Sequence, residues 1–582
     1  MTRMLHALFV LIGGVGLAMA AAAETPPAGD TPVDAEKPPF AAIAGEYLTA
    51  YWRAHPFAAA EAGLHEYDGK APDWSTGGIE RWVEFNRTVR RRLDDYAPAD
   101  LNENERVDRE ILRYTIGGQL FDFADRKSHR RDPMTYDVSW GLLNFIRRDY
   151  APLATRMKSA VALLEATPGV MEAARKNLDE VLPLVVLRTA IDNLKGSADF
   201  IRSDLADAFK PVADDALRSS FKSAAGTAAE SIDTFVRFLE SERKPKANDA
   251  FAIGAELFGE LLRETEGVDI PLDRLLAIGQ ADLDRNLARA GEIVRANLRD
   301  TTVGGAMAMM KDHAYAPNDL IPAIAKELND IRRFCIDRDL ITIPSKVGPT
   351  VGETPKFARW ASAMMSAPGP FETVATEAYY DVTPVDPAWS QEKQDQWLRD
   401  FNRYIATNVS VHEAYPGHYV QGLHTQRAPT DVQKAFSSYA AVEGWAHYTE
   451  QMMVEAGFHA DMALYELAQI QDALLRNCRF LCAIRMHTDG MSVDEATKFF
   501  QKNTFLDKLM AEREAERGTY DPAYFKYTLG KLQILRLRDD FRKKAGEAFS
   551  LRKFHDDLLS RGMPPLVVTR ERLLGATAGP GL

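Results

Sequence analysis

This 582-residue sequence predicts a mainly α-helical fold: one large helical domain with a central cleft and a small β element. Three observations carry that expectation. Apolar residues recur at helical spacing over long stretches; one interruption rich in Gly and Pro falls between about 338 and 390; and no strong linker follows residue 40. Hydrophobic residues at 46% and charged residues at 27% fit a packed globular chain and exclude wholesale disorder. The formal charge is −13 and no basic stripe is present, which argues against nucleic acid as a partner. Three cysteines, Cys335, Cys478 and Cys482, exclude a disulfide scaffold and a four-cysteine metal site, and they read as buried thiols.

Residues 1–23 have Arg3 before an apolar run from Leu5 to Met19, then small residues up to Ala23. That is the pattern of a cleaved signal peptide, so a periplasmic or secreted protein is expected. No Cys follows the run, and no later stretch holds 18 uninterrupted apolar residues, so no stable membrane anchor is expected after cleavage. Residues 24–40 are rich in Pro and acidic side chains and form a disordered lead-in; residues 41–582 form the single catalytic domain. Helices are expected at 79–96, 104–125, 153–176, 215–241, 271–298 and 317–337. In the segment 271–298, Leu272, Leu275, Leu276, Leu283 and Leu287 fall at helical spacing behind Pro271. Leu340–Ile343 and Tyr379–Val382 read as short strands, with a Gly/Pro connector at Val347–Pro355 between them. Helices resume near 391 and run to about 545, and no repeat is visible.

The chemistry concentrates near residue 412. Four of the 12 histidines, His412, His418, His424 and His447, fall within this region. In Val411-His412-Glu413-Ala414-Tyr415-Pro416-Gly417-His418, a His followed by Glu on a helix supplies a metal ligand beside a proton acceptor. The usual second ligand stands at i+4, but here that position is Pro416 and the next His is at i+6, about 240° round an ideal helix. His418 can join His412 only if Pro416-Gly417 bends or breaks the helix. Glu443 is the expected third ligand. Glu443, His447 and Glu450 lie at i, i+4 and i+7 among Phe436, Tyr439, Trp445 and Met453, where ionisable groups would be costly unless paired or metal-bound. His424 reads as a surface or supporting residue. His65-Glu66 sits among Gly63, Asp68 and Gly69 in a loop with no partner His, and is set aside.

These motifs resemble the bacterial family known as Domain of Unknown Function 885. Its His-Glu, two variable residues, Pro-Gly-His pattern matches His412, Glu413, Pro416, Gly417 and His418, and its Glu-Gly-Trp-Ala matches Glu443 to Ala446. Its carboxyl-terminal pattern matches Tyr527, Gly530 and Lys531, then Leu535-Arg536 and Phe554-His555-Asp556. The family is similar in arrangement to helical zinc peptidases of the angiotensin-converting-enzyme and thermostable-carboxypeptidase groups. The resemblance implies a cleft-bearing helical fold with a metallopeptidase-like site. Members often carry an Asp four residues before the counterpart of His487; Ala483 stands there in this chain.

The expected chemistry is hydrolysis at one Zn²⁺ held by His412, His418 and Glu443, with Glu413 as general base. Mn or Co would suit the same donors. Tyr527, and after it His447, is the expected oxyanion donor. Arg536 or Lys531 is the expected partner of a substrate carboxylate. His487 and His555 are expected to support or cap. The expected substrate is a short peptide; a non-peptide amide, or metal binding without turnover, are the alternatives.

Overall fold

The computed structural model of the chain describes residues 38–298, 300–355, 359, 362–575 and 581–582. The expected signal peptide and nearly all of the expected lead-in lie outside the described residues. The last lead-in residue, Phe40, already belongs to a helix, Phe40–Ala54, whose fixed-φ Pro39 occupies the cap position.

The expected helices are present as Thr76–Asp94, Glu103–Leu120, Leu153–Asn177, Asp215–Phe238, Leu272–Asn297 and Leu320–Asp337. Their ends follow local chemistry. Asn102 and Glu105 form a reciprocal capping box at the start of Glu103–Leu120, satisfying backbone donors that have no partner within the helix. Helices also extend beyond 545, as Leu551–Leu559 and Leu566–Leu574.

The two ends of the chain pack together. Tyr47, Tyr51 and Trp52 of the first helix enclose Phe436, with ring centroids 4.9–6.2 Å apart. Burying an aromatic of this size stabilises the fold by roughly 1.5–3 kcal/mol. Buried Asp108 accepts from Thr430 Oγ1 and Gln433 Nε2, each at 2.7 Å. Burial pushes its carboxyl up to about 6, because neither partner carries a charge to offset desolvation.

The β element is a three-stranded sheet of order β1-β3-β2: β1 (Thr350–Glu353), β2 (Ala363–Ser366) and β3 (Tyr379–Val382). β1 runs parallel and β2 antiparallel to the central β3. The expected strand at Tyr379–Val382 is this central one. Leu340–Ile343 is not a strand, because its backbone groups bond to side chains instead of a ladder. Leu340 C=O accepts from His555 Nδ1 at 2.7 Å, and the Thr342 N–H donates to Asp556 Oδ1 at 2.9 Å. β1 lies inside the segment that reads as a Gly/Pro connector. The three cysteines are free and buried, as expected.

Candidate metal centre and its cavity

The helix Arg403–Glu413 starts on Asn402, whose Oδ1 accepts from the amides of Tyr404 and Ile405 at 3.1 and 3.3 Å. It stops at Glu413, and a second helix, His418–Thr425, begins after Gly417. The helix is therefore broken rather than kinked. Gly417 donates its N–H to Val411 C=O at 3.1 Å and passes so close to the His412 carbonyl oxygen that a β-carbon would collide with it. Trp445 Nε1 donates to Pro416 C=O at 3.0 Å, fixing the break from the neighbouring helix. The i+6 problem disappears: the rings of His412 and His418 stand 4.8 Å apart at 90°.

The helix Tyr439–Glu455 delivers the third group. Glu443 Oε2 lies 3.4 Å from His412 Nε2 and 3.7 Å from His418 Nε2, and one donor atom from each of the three residues falls within 4.8 Å of the others. These separations suit a cation better than hydrogen bonds. Ligands about 2.0–2.2 Å from a tetrahedral zinc sit roughly 3.4 Å from one another. Glu443 Oε2 is buried with no hydrogen-bond partner among the described residues, a costly state unless a cation is expected there. The imidazoles are oriented for the same purpose. His412 Nδ1 donates to Glu450 Oε1 at 2.7 Å and His418 Nδ1 to Gln421 Oε1 at 3.2 Å, which turns both Nε2 atoms toward Glu443. Burial pushes His412 down, but the neighbouring Glu443 and Glu450 carboxylates outweigh this and lift it to about 10, the direction in which negative groups favour any positive charge at this point. Burial pushes the Glu443 carboxyl up, and the two imidazoles more than reverse it, holding it well below the usual range.

The cluster opens into a cavity of about 460 Å³. Glu413 is half-buried in its wall, and its Oε2 accepts from the Met365 N–H of β2 at 3.0 Å. The small sheet thus holds the carboxylate next to the ligand helix. Tyr527 also lines the cavity, on the helix Lys526–Ala545. Tyr439 OH donates to Tyr527 OH at 3.2 Å, and Arg517 Nη2 donates to Tyr439 OH at 3.4 Å. The helices bearing Glu443 and Tyr527 touch at Gly444 and Gly530, where a β-carbon on either glycine would strike the opposite backbone. The glycines of both sequence motifs are therefore one contact.

Three expectations need correction. His447 does not line the cavity. It is fully buried, its Nδ1 bonds Glu450 Oε2 at 3.3 Å, and burial followed by nearby Lys531 lowers it to about 4, leaving a neutral supporting imidazole instead of an oxyanion donor. Lys531 lies one turn deeper than Tyr527, fully buried and paired with Asp282 at 3.0 Å. Arg536 is nine residues from Tyr527, half a circle round the helix at about 100° per residue, and pairs with Asp540 on the outside. Neither cation lines the cavity.

His424 Nε2 bonds the Thr342 carbonyl at 2.8 Å. His487 bonds the Gly518 carbonyl at 2.7 Å, and His555 ties Leu340 to Tyr448; these two are structural. Ala483 is fully buried in an apolar cluster away from the cavity. His65 is the opposite case. It lies in the short turn His65–Tyr67 on the cavity wall, 3.2 Å from Asp68 and 3.0 Å from Glu372, and stacks on Tyr150 at 3.4 Å. Its partner Glu372 is 307 residues away, so no local pattern announces it. Arginines 147, 148, 476, 479 and 517 line the same cavity and carry no motif spacing in the sequence.

A family profile described as bacterial protein of unknown function (DUF885) matches residues 56–573. The chain belongs to that family. Two solved structures share its fold. One, a candidate lipoprotein of unknown function from Shewanella oneidensis, is 25% identical, with a TM-score of 0.79 over 92% of this chain and 100% of that one. The other, a candidate lipoprotein from Colwellia psychrerythraea, is 16% identical, with a TM-score of 0.78 over 92% of this chain and 98% of that one. No curated protein matches. Among the described residues no helix is long and apolar enough to cross a membrane.

Proposed function

We propose that this protein is a metal-dependent hydrolase of the cell envelope that cleaves short peptides. The observation that carries the reading is the convergence of His412, His418 and the otherwise unpartnered Glu443, with Glu413 on the same cavity wall. Two imidazoles and one carboxylate suit Zn²⁺ and leave a fourth position for water. When bound, such a cation acidifies water and polarises a carbonyl. Glu413, steered by the Met365 amide, takes the proton from the attacking water and returns it to the leaving amine. Tyr527 accepts from Tyr439, so its own hydroxyl proton is free to meet the developing oxyanion. A cavity of about 460 Å³ admits a short peptide segment and excludes a folded protein. Pure metal storage has no use for a carboxylate placed as Glu413 is.

The signal-peptide pattern of residues 1–23 and the lipoprotein descriptions of the two structural relatives support the envelope location. The test is incubation of zinc-loaded protein with a mixture of short peptides, following new amino groups, before and after chelation. Hydrolysis that chelation stops and zinc restores is expected. A fully metal-loaded protein that releases no amine from any peptide would refute the reading.

A further inference from the structure

The cavity is lined by arginines from two parts of the chain, and they differ in what answers their charge. Arg476 pairs with Asp472 at 3.1 Å, Arg479 with both oxygens of Glu514 at 2.7 and 2.8 Å, and Arg517 with Asp521 at 3.0 Å. Arg147 and Arg148 close the helix Ser139–Arg147 on the other part of the wall. Among the described residues Arg148 donates only to neutral oxygens: the carbonyls of Glu377 and Ser366, each at 2.7 Å, the carbonyl of Ala375 at 3.4 Å, and Ser366 Oγ at 3.1 Å. Arg147 forms no hydrogen bond or ion pair among the described residues.

Among the described residues, none of the charged groups that face this pair is bonded to it. Glu372 is shared between His65 and the amides of Val374 and Ala375. Glu61 and Asp381 lie near enough to feel both guanidinium groups, but among the described residues neither carboxyl forms a hydrogen bond or ion pair with them. Two half-buried guanidiniums without a bound counter-charge are expensive to keep, and an open arginine fork matches a carboxylate with two parallel hydrogen bonds.

We propose that Arg147 and Arg148 form a carboxylate subsite in the cavity: Arg147 supplies the open fork and Arg148 a fixed positive charge. This rests on the peptide-hydrolase reading and names its substrate class: short peptides carrying a carboxylate close to the cleaved bond. The sheet sets the distance. Arg148 holds Ser366 C=O, and the adjacent Met365 N–H holds Glu413. That path keeps the Arg148 guanidinium, next in sequence to the Arg147 fork, within roughly 13 Å of Glu413, the span of three to four extended residues at most. A carboxylate at this reach is either the terminal one of a short peptide or an acidic side chain beside the cleaved bond.

The test is calorimetric binding to the full chain, freed of metal so that turnover plays no part. The probes are trialanine, trialanine amide and Ala-Ala-Asp amide. At least one carboxylate-bearing probe is expected to bind about tenfold or more tighter than trialanine amide, since a charge-assisted bond contributes on the order of 1.5–3 kcal/mol. Trialanine reports a terminal carboxylate and Ala-Ala-Asp amide a side chain. Arg147→Met is expected to erase the preference. Arg148→Met also releases β2, so circular dichroism and melting accompany it, and the conclusion rests on Arg147. Equal binding of all three probes, no binding of any, or a preference that survives Arg147→Met would overturn the subsite. Because no hydrolysis is read, a protein without peptidase activity and a protein without this subsite give different results.

Discussion

The two parts of the cavity wall treat charge differently. On the carboxyl-terminal part, most ionised groups have a protein partner of opposite sign: Arg476 with Asp472, Arg479 with Glu514, Arg517 with Asp521, and His412 with Glu450. On the amino-terminal part, His65 is answered on both sides by Asp68 and Glu372, yet among the described residues Arg147 forms no ion pair and Arg148 bonds neutral oxygens. Buried ion pairs that satisfy one another hold a geometry, and removing one member leaves an uncompensated charge behind. A guanidinium left open is suited to a ligand that comes and goes. On the proposed reading, the difference separates a rigid face that would carry the chemistry from one that would receive the substrate. The exceptions on the rigid face are Glu413, held by the Met365 amide, and Glu443 Oε2, where the proposed cation would sit.

The comparison can be broken most forcefully at Glu413. Glu413→Gln keeps the hydrogen bond to Met365 possible but removes the base, and hydrolysis is expected to fall by about 10²–10⁴-fold with metal still bound. Steady-state kinetics alongside metal analysis checks this. Next comes Tyr527→Phe, expected to cost about 10²–10³-fold in kcat with little change in KM if the hydroxyl acts on the oxyanion. An effect on KM alone would move Tyr527 to substrate binding. Glu450→Gln should weaken zinc affinity by about 10–100-fold, measured by competition with a chelator, because His412 loses the carboxylate that orients it.

The smallest effect is expected at His65, and it sharpens the receiving face. Burial lowers this imidazole, but Asp68 and Glu372 outweigh it and raise it above 6.5. A raised folded value means the stabilisation is complete below the unfolded value near 6.5 and fades as pH rises through the folded one. Denaturation of wild type and His65→Gln across that range should show the difference between them shrinking with rising pH. A difference that grows instead would contradict the pairing.

Much of this was legible in the sequence because it is local. Helical periodicity marks Leu272–Asn297 and its neighbours, and His412-Glu413 with Pro416-Gly417 marks both the ligands and the break between them. Glu443 was legible as an acid on an apolar stripe. What stayed hidden depends on contacts between distant segments. β2 is only Ala363–Ser366, and its role is to meet Glu413 some 48 residues on. Lys531 and Arg536 belong to a motif, yet which cation faces a cavity is decided by helix phase and by Asp282 and Asp540, not by the motif. His65 and Arg147 offer no spacing at all. Their meaning comes from the fold placing Glu61, His65, Arg147 and Arg148 on one cavity wall with His412, His418 and Glu443.

The central claim is that one divalent cation is held by His412, His418 and Glu443 beside Glu413. Elemental analysis of the purified wild type, Glu443→Gln and Glu413→Gln tests it most directly. The account predicts one zinc-type ion per chain in the wild type and in Glu413→Gln, and its loss from Glu443→Gln. A wild-type chain that binds no divalent metal when zinc is supplied, or a Glu443→Gln chain that holds it as tightly, would contradict the account.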